Sequence, residues 1–173
     1  MSKPLQMPMF SPQTEWVPPL NLPDLKEYSE IAIDLETRDP NLMSMGSGSV
    51  RGDGEIVGIA IAVEGWSGYF PIAHEAGGNM DRALVLDWFE EVLHTDATKI
   101  FHNAMYDVSW IRSLGFQIRG GIIDTMIAAS LVNENRWSFT LDSISKEFIG
   151  MGKNEKVLTD SAKAWGVNPK AEM

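Results

Sequence analysis

Ile31-Ala32-Ile33-Asp34-Leu35-Glu36 begins apolar and ends acidic. The apolar, partly β-branched start reads as a strand, and the carboxylates mark its exit. Residues i and i+2 of a strand share a face, so Asp34 and Glu36 point the same way. Two carboxylates side by side at a sheet edge repel each other unless a cation joins them. Oxygen-only donors suit Mg²⁺ or Mn²⁺ rather than zinc. A second D-x-E, Asp53-Gly54-Glu55, lies beside glycines in an expected turn. It reads as a solvated loop, and Arg51-Gly52-Asp53 there needs no adhesive role. What separates Asp34/Glu36 from this decoy is the apolar strand in front of it. On pattern alone, the pair reads equally well as two solvated carboxylates leaving a strand.

Working outward, 39–54 is rich in Gly, Ser, Asn and Met and is expected to be a loop. Glu55 to Val63 is a long apolar strand. Gly65 and Ser67 mark a turn, and Gly68 to Ala73 is expected to return as a third strand. Asp81-Arg82 opens a helix through His94, with Leu84/Trp88/Val92 and Val85/Phe89/Leu93 as its apolar face. Lys99 to His102 reads as a buried strand, followed by a helix to Leu114 that Gly115 stops. Gly121 to Asp124 is a short strand, followed by an apolar helix to Val132. A last helix runs from Thr140 to Phe148, opened by Thr140 or Asp142 and closed by Gly150. The order β-β-β-α-β-α-β-α-α gives a mixed α/β sheet with helices on its faces. Trp88, Phe89, Trp110, Phe116, Trp137 and Phe148 are expected in the core or on half-buried helix faces.

Six of the nine prolines (Pro4, Pro8, Pro12, Pro18, Pro19, Pro23) precede this pattern. They forbid a regular helix or central strand there, so 1–24 reads as an extended arm, with Trp16, Val17 and Leu20 as candidate anchors. Residues 25–150 form the domain. Residues 151–173 are a polar, lysine-bearing segment whose one large anchor is Trp165.

The 173 residues suffice for one domain with a full core. There is no cysteine, which excludes disulfide frameworks and thiolate metal sites. The apolar runs are too short to span a bilayer, and MSKPLQMPMFSPQ lacks the apolar stretch of a secretory signal, so a cytoplasmic protein is expected. Fourteen basic residues against twenty-four acidic ones give a net charge of −10. That excludes charge-driven, histone-like binding of nucleic acid. A nucleic-acid enzyme whose carboxylates hold cations stays open. Lys146, Lys153, Lys156, Lys163 and Lys170 read as solvated.

A second constellation is Lys99-Ile-Phe-His102-Asn103-Ala-Met-Tyr106-Asp107. A strand runs into a helix, and Asn103 and Asp107 lie one turn apart on one face. Singly, Asn103 reads as an N-cap and Asp107 as a first-turn carboxylate. His102 reads as a packed or hydrogen-bonded histidine.

Together these motifs resemble the DEDD superfamily of 3′–5′ exonucleases. IAIDLET resembles its first motif, and FHNAMYDVSWI its second, with the N-x-x-x-D core. IIDTMIAASLVNENRWSFTLDSISKEFIG is similar to the next segment of the proofreading domains of family-A, polymerase I-like DNA polymerases, phage ones included. The similarity covers about residues 28–150. It implies a ribonuclease H-like fold and two-metal hydrolysis of 3′-terminal phosphodiesters of single-stranded DNA, with two Mg²⁺ or Mn²⁺ ions. Asp34 would bridge the ions, Glu36 would bind the first, and Asp107 would hold the second, partly through water. Thr37 and Asn103 would touch the terminal nucleotide and Tyr106 would pack near it. Asp124 would be a supporting polar group. The partners implied are a single-stranded DNA 3′ end and a polymerase domain, in a host cytoplasm if the protein is phage-encoded.

The family's third motif, Y-x-x-x-D or H-x-x-x-D, has no match. Four residues before Asp142 stands Ser138, four before Asp160 stands Lys156, and no tyrosine or histidine occurs after Tyr106. The chain therefore reads as truncated before its fourth carboxylate. Pro40 stands where the family often has an apolar residue. The alternatives are a non-catalytic binding fragment of the same fold and an RNA-trimming exonuclease.

Overall fold

The computed structural model describes residues 17–75 and 78–152. Five strands form one sheet in the order β3-β2-β1-β4-β5. They are β1 (Glu30–Arg38), β2 (Glu55–Val63), β3 (Trp66–Pro71), β4 (Thr98–Phe101) and β5 (Ile122–Asp124). The first three form an antiparallel meander, while β4 lies parallel to β1 and β5 parallel to β4. The helices are α1 (Leu42–Met45), α2 (Gly48–Arg51), α3 (Arg82–Leu93), α4 (Ala104–Ser113), α5 (Thr125–Val132) and α6 (Leu141–Phe148).

Strand alternation decides which face is covered. Ile31, Ile33 and Leu35 of β1, Ile59 and Ile61 of β2, Phe70 of β3 and Phe101 of β4 all point to one buried face. Against it lie Val85, Phe89, Val92 and Leu93 of α3 and Trp110 and Ile111 of α4. Each such side chain contributes about 1.5–3 kcal/mol on burial. The opposite face carries small side chains. Ala32, Ala60, Ala62, Ser67 and Gly68 floor a groove of about 550 Å³, bordered by Thr125 and Leu141 at the starts of α5 and α6.

Helix ends follow the expected chemistry. Asp81 accepts from the Leu84 amide, and Thr140 from the Ser143 amide. Gly115 follows α4 at φ 85° and Gly150 follows α6 at φ 70°, a conformation glycine adopts at no steric cost.

Several expectations are corrected. The segment 39–54 is not a plain loop: it holds α1 and α2. These one-turn helices are tied by Arg51, which reaches Asp39, Asp53 and the Gly46 carbonyl, and by Asp39, which accepts from the Gly48 amide. β3 starts at Trp66 and ends at Pro71, two residues before the expected span at each end, because Val63 and Trp66 already pair across the turn. Leu84 is exposed, and α3 buries Leu86 instead. Trp137 and Phe148 are exposed rather than packed, with the Arg136 guanidinium 5.6 Å over the Phe148 ring. In the proline-rich region Val17 and Leu20 are exposed, and Leu25 is the buried anchor. Leu22 packs on the core beside it, and the Trp88 indole N–H donates to the Pro23 carbonyl at 2.8 Å. Trp16, Trp165 and the lysines from Lys153 onward lie outside the described residues.

Candidate active site

β4 pairs with β1 only through Glu30, Ala32 and the residue between them. Past Ala32 that side of β1 has no strand neighbour, and a side chain fills the position. Asp107, in the first turn of α4, accepts from the Leu35 amide through Oδ1 at 2.9 Å. The bond joins residues distant in sequence and fixes Asp107 between Asp34 and Glu36 along β1. Asp107 is only 3% exposed, whereas Asp34 and Glu36 are exposed on the groove face. Burial pushes the Asp107 carboxyl up to about 7 from its ordinary 3.8. The Leu35 hydrogen bond opposes that rise, and the charges of Asp34 and Glu36 add to it. The three acids singled out from sequence are therefore within electrostatic reach of one another.

The start of α4 is built in an unusual way. Asn103 is the one non-glycine residue at positive φ among the described residues, at φ 66° and ψ 53°. Asparagine is among the few residues that tolerate this region. It holds the N-cap position but makes no side-chain capping bond, so the expected N-cap is not formed by its amide. Asp124 does the capping instead. Its carboxylate accepts from the Asn103 amide at 3.0 Å, the Ala104 amide at 2.8 Å and, at the start of α5, the Met126 amide at 2.9 Å. Burial acts to raise the Asp124 pKa, but these backbone amides outweigh it and lower it. One carboxylate thus staples two helix starts. Asn103 itself is exposed. His102 is hydrogen-bonded, as expected: Nδ1 lies 2.9 Å from the Thr125 hydroxyl.

Thr37 follows a register shift between Glu36 and Thr37, opposite Val57. Such bulges re-aim side chains at functional edges. The Thr37 hydroxyl lies 2.6 Å from the Tyr106 hydroxyl, and the Tyr106 ring stands edge-on to Trp110 at 6.3 Å. Two of the three substrate-site candidates, Thr37 and Tyr106, are thus tied to each other beside Asp107. Pro40 is exposed in the turn before α1.

Sequence reasoning missed Tyr69. Its pKa is pushed up to about 12 by burial first and then by the charges of Glu36 and Asp34. The only signal available was its alternation on β3, which does not reveal what stands across two strands.

Asp34, Glu36 and Asp107 form a hard, oxygen-only donor set under mutual repulsion, which fits a divalent cation such as Mg²⁺. Among the described residues, no group of three acidic, histidine or cysteine side chains is placed to hold a metal ion. The fit is one of donor chemistry and proximity, not of a preformed cage.

Residues 22–173 match the sequence profile of a 3′–5′ exonuclease family, that of family-A DNA polymerases. The chain belongs to this exonuclease family. It is 33% identical to a DNA-directed DNA polymerase of Pseudomonas phage M6, over 98% of the chain and 27% of that polymerase. It is 29% identical to DNA polymerase DpoZ of Salmonella phage PMBT28, over 83% of the chain and 21% of the relative. The exonuclease chain thus spans about a quarter of the length of these relatives. Among solved structures, Brucella melitensis NrnC shares the fold at TM-score 0.56 and 24% identity, covering 77% of this chain and 59% of that one. Escherichia coli RNase D shares it at TM-score 0.53 and 16% identity, covering 75% and 30%. The fold is the ribonuclease H-like α/β sheet of these exonucleases.

Proposed function

We propose that this exonuclease domain removes 3′-terminal nucleotides from single-stranded DNA by metal-assisted hydrolysis, as the proofreading part of a family-A polymerase. One observation carries the reading: Asp107 crosses to the Leu35 amide and so joins Asp34 and Glu36. The preference for DNA rests on the relatives in sequence, which are DNA polymerases.

In this reading Asp34, Glu36 and Asp107 would hold the Mg²⁺ or Mn²⁺ ions. Bound there, the ions supply Lewis-acid activation of water and neutralise charge on the phosphate. A relative in fold, Brucella melitensis NrnC, has been solved with bound Mg²⁺, which supports the choice of ion. Asp107 carries the proton bookkeeping. With a pKa near 7 it is partly protonated at neutral pH, and it must release that proton to serve as a ligand. The exposed Asn103 amide and the Thr37–Tyr106 hydroxyl pair face the terminal nucleotide. Asp124 holds Asn103 in its left-handed conformation. The local positive field of the ions reconciles a chain of net charge −10 with a polyanionic substrate.

The test is an end-labelled oligonucleotide assay with Mg²⁺ or Mn²⁺, on this chain and on an Asp34→Ala, Glu36→Ala double variant. Shortening of DNA by the chain and not by the variant is expected. Equal activity of the two proteins would reject the site. Preferential shortening of RNA would replace proofreading by RNA trimming, and no shortening of either would leave a binding fragment.

A further inference from the structure

The Tyr69 phenol belongs to none of the motifs above, and the hydrolysis just described does not use it. Its position is fixed by the sheet. Asp34 pairs with Ala60, and Ala60 with Tyr69, so these side chains form one row on the groove face. Glu36 pairs with Gly58 in the next row. The Tyr69 ring leans from its own row into that one: a Cβ on Gly58 would stand 1.9 Å from the phenol oxygen. Neighbouring strands lie about 4.8 Å apart, so the phenol oxygen over Gly58 stands beside the stem of Glu36.

A second set of contacts holds the phenol there. His74 Nε2 lies 2.5 Å from the Tyr69 oxygen, and the two rings meet edge to face at 5.8 Å. His74 is itself clamped. Its amide donates to Asn79 Oδ1 at 2.7 Å, and its carbonyl accepts from Asn79 Nδ2 at 2.8 Å. A phenol has one proton to donate and an oxygen that accepts. In the tautomer that carries its hydrogen on Nε2, the imidazole donates to the oxygen and the phenol proton is directed away from His74.

We propose that Tyr69 is a positioning residue of the exonuclease site, whose hydroxyl, oriented by His74, aims the Glu36 carboxylate at the cation. The inference rests on the reading of Asp34 and Glu36 as cation ligands. Hydrogen bonding from a neutral donor leaves the carboxylate its charge and removes rotamer freedom that cation binding otherwise has to freeze. Gly58 is what allows it, because any side chain there occupies the space of the phenol oxygen.

The test is a Mn²⁺ titration of the 173-residue chain by calorimetry, paired with the oligonucleotide assay and a urea midpoint. Tyr69→Phe keeps the ring over Gly58 and removes only the hydroxyl. Expected are about tenfold weaker Mn²⁺ binding and a matching fall in kcat, with the oligonucleotide KM and the urea midpoint unchanged. His74→Ala, which touches neither acid, is expected to move Mn²⁺ affinity the same way by about threefold. Mn²⁺ affinity unchanged in both variants, or a loss confined to the urea midpoint, overturns the proposal and leaves a merely structural pair. The Asp34→Ala, Glu36→Ala variant separates the two levels. If it loses Mn²⁺ and Tyr69→Phe does not, only the role of Tyr69 fails. If it binds Mn²⁺ like the wild type, the cation-site reading fails, and the Tyr69 proposal with it.

Discussion

Lys99 on β4 and Asp107 on α4 are two buried charged residues, at 0% and 3% exposure. Lys99 is saturated. Its ammonium donates to the carbonyls of Thr95 at 2.5 Å, Ala97 at 3.0 Å and Arg119 at 3.0 Å, with the Thr95 hydroxyl also at 3.0 Å. Burial lowers its pKa, yet every donor is spent on the chain's own backbone. Asp107 sits at the other end of the same strand-to-helix unit, with the Leu35 amide on one oxygen and two like charges beside it. A buried charge whose partners are complete is a structural rivet. A buried carboxyl pressed by neighbours of its own sign is the arrangement proposed here to take a counter-ion.

The largest effect tests the rivet. Lys99→Met keeps volume but leaves three carbonyls without their donor, at about 1–3 kcal/mol each where water cannot reach. A loss of roughly 3–5 kcal/mol in urea unfolding is expected, with any activity loss following the unfolded fraction alone. A loss under about 1 kcal/mol would dissolve the contrast.

Next, Asp107→Asn keeps an acceptor for the Leu35 amide and removes the charge. Nuclease activity is expected to fall at least about 100-fold, a change of roughly 2.7 kcal/mol in the barrier, while cation-free stability at pH 8 rises. Lower stability together with retained activity would reverse the assignment.

pH sharpens the same point. The folded pKa of Asp107 is raised to about 7 from 3.8, so folding favours the protonated acid. Its contribution is fully present below about pH 4 and is lost as pH rises through 7, at most roughly 4 kcal/mol. In EDTA, urea midpoints are expected to fall between pH 5 and 8. Mn²⁺ is expected to restore the pH 8 value, and Asp107→Asn to flatten the profile. The smallest effect is Arg119→Ala. Its pair with Asp96 is exposed on both sides, so a change within about 0.5 kcal/mol is expected, because Lys99 uses the Arg119 carbonyl and not its side chain.

Much of this was legible in sequence where chemistry is local. β2 falls on Glu55–Val63 as the apolar run marks it, and Asp81 and Thr140 cap their helices. Asp34 and Glu36 share a face by strand period, and Asp107 was placed by its motif. The unread features depend on contacts distant in sequence. Lys99 looked like a strand lysine, and its carbonyl cage is assembled from loops on either side of β4. Asp124 caps α4 from the end of β5, and the Tyr69 phenol lies over Gly58 of the neighbouring strand, in the space a Cβ would fill. α1 and α2 were hidden because four-residue helices have no period to read, and Arg51 holds them by contacts that span the segment. Trp137 and Phe148 show the opposite failure: hydrophobicity alone does not say that a partner is present.

In the proposed site Asp34, Glu36 and Asp107 share a cation. That arrangement is tested most directly by anomalous diffraction from a crystal of the chain soaked in Mn²⁺. A peak is expected about 2.0–2.3 Å from oxygens of Asp34 and Glu36, with Asp107 reached directly or through one water. No peak among the three carboxylates, or Mn²⁺ found only on other acids of the surface, would contradict it.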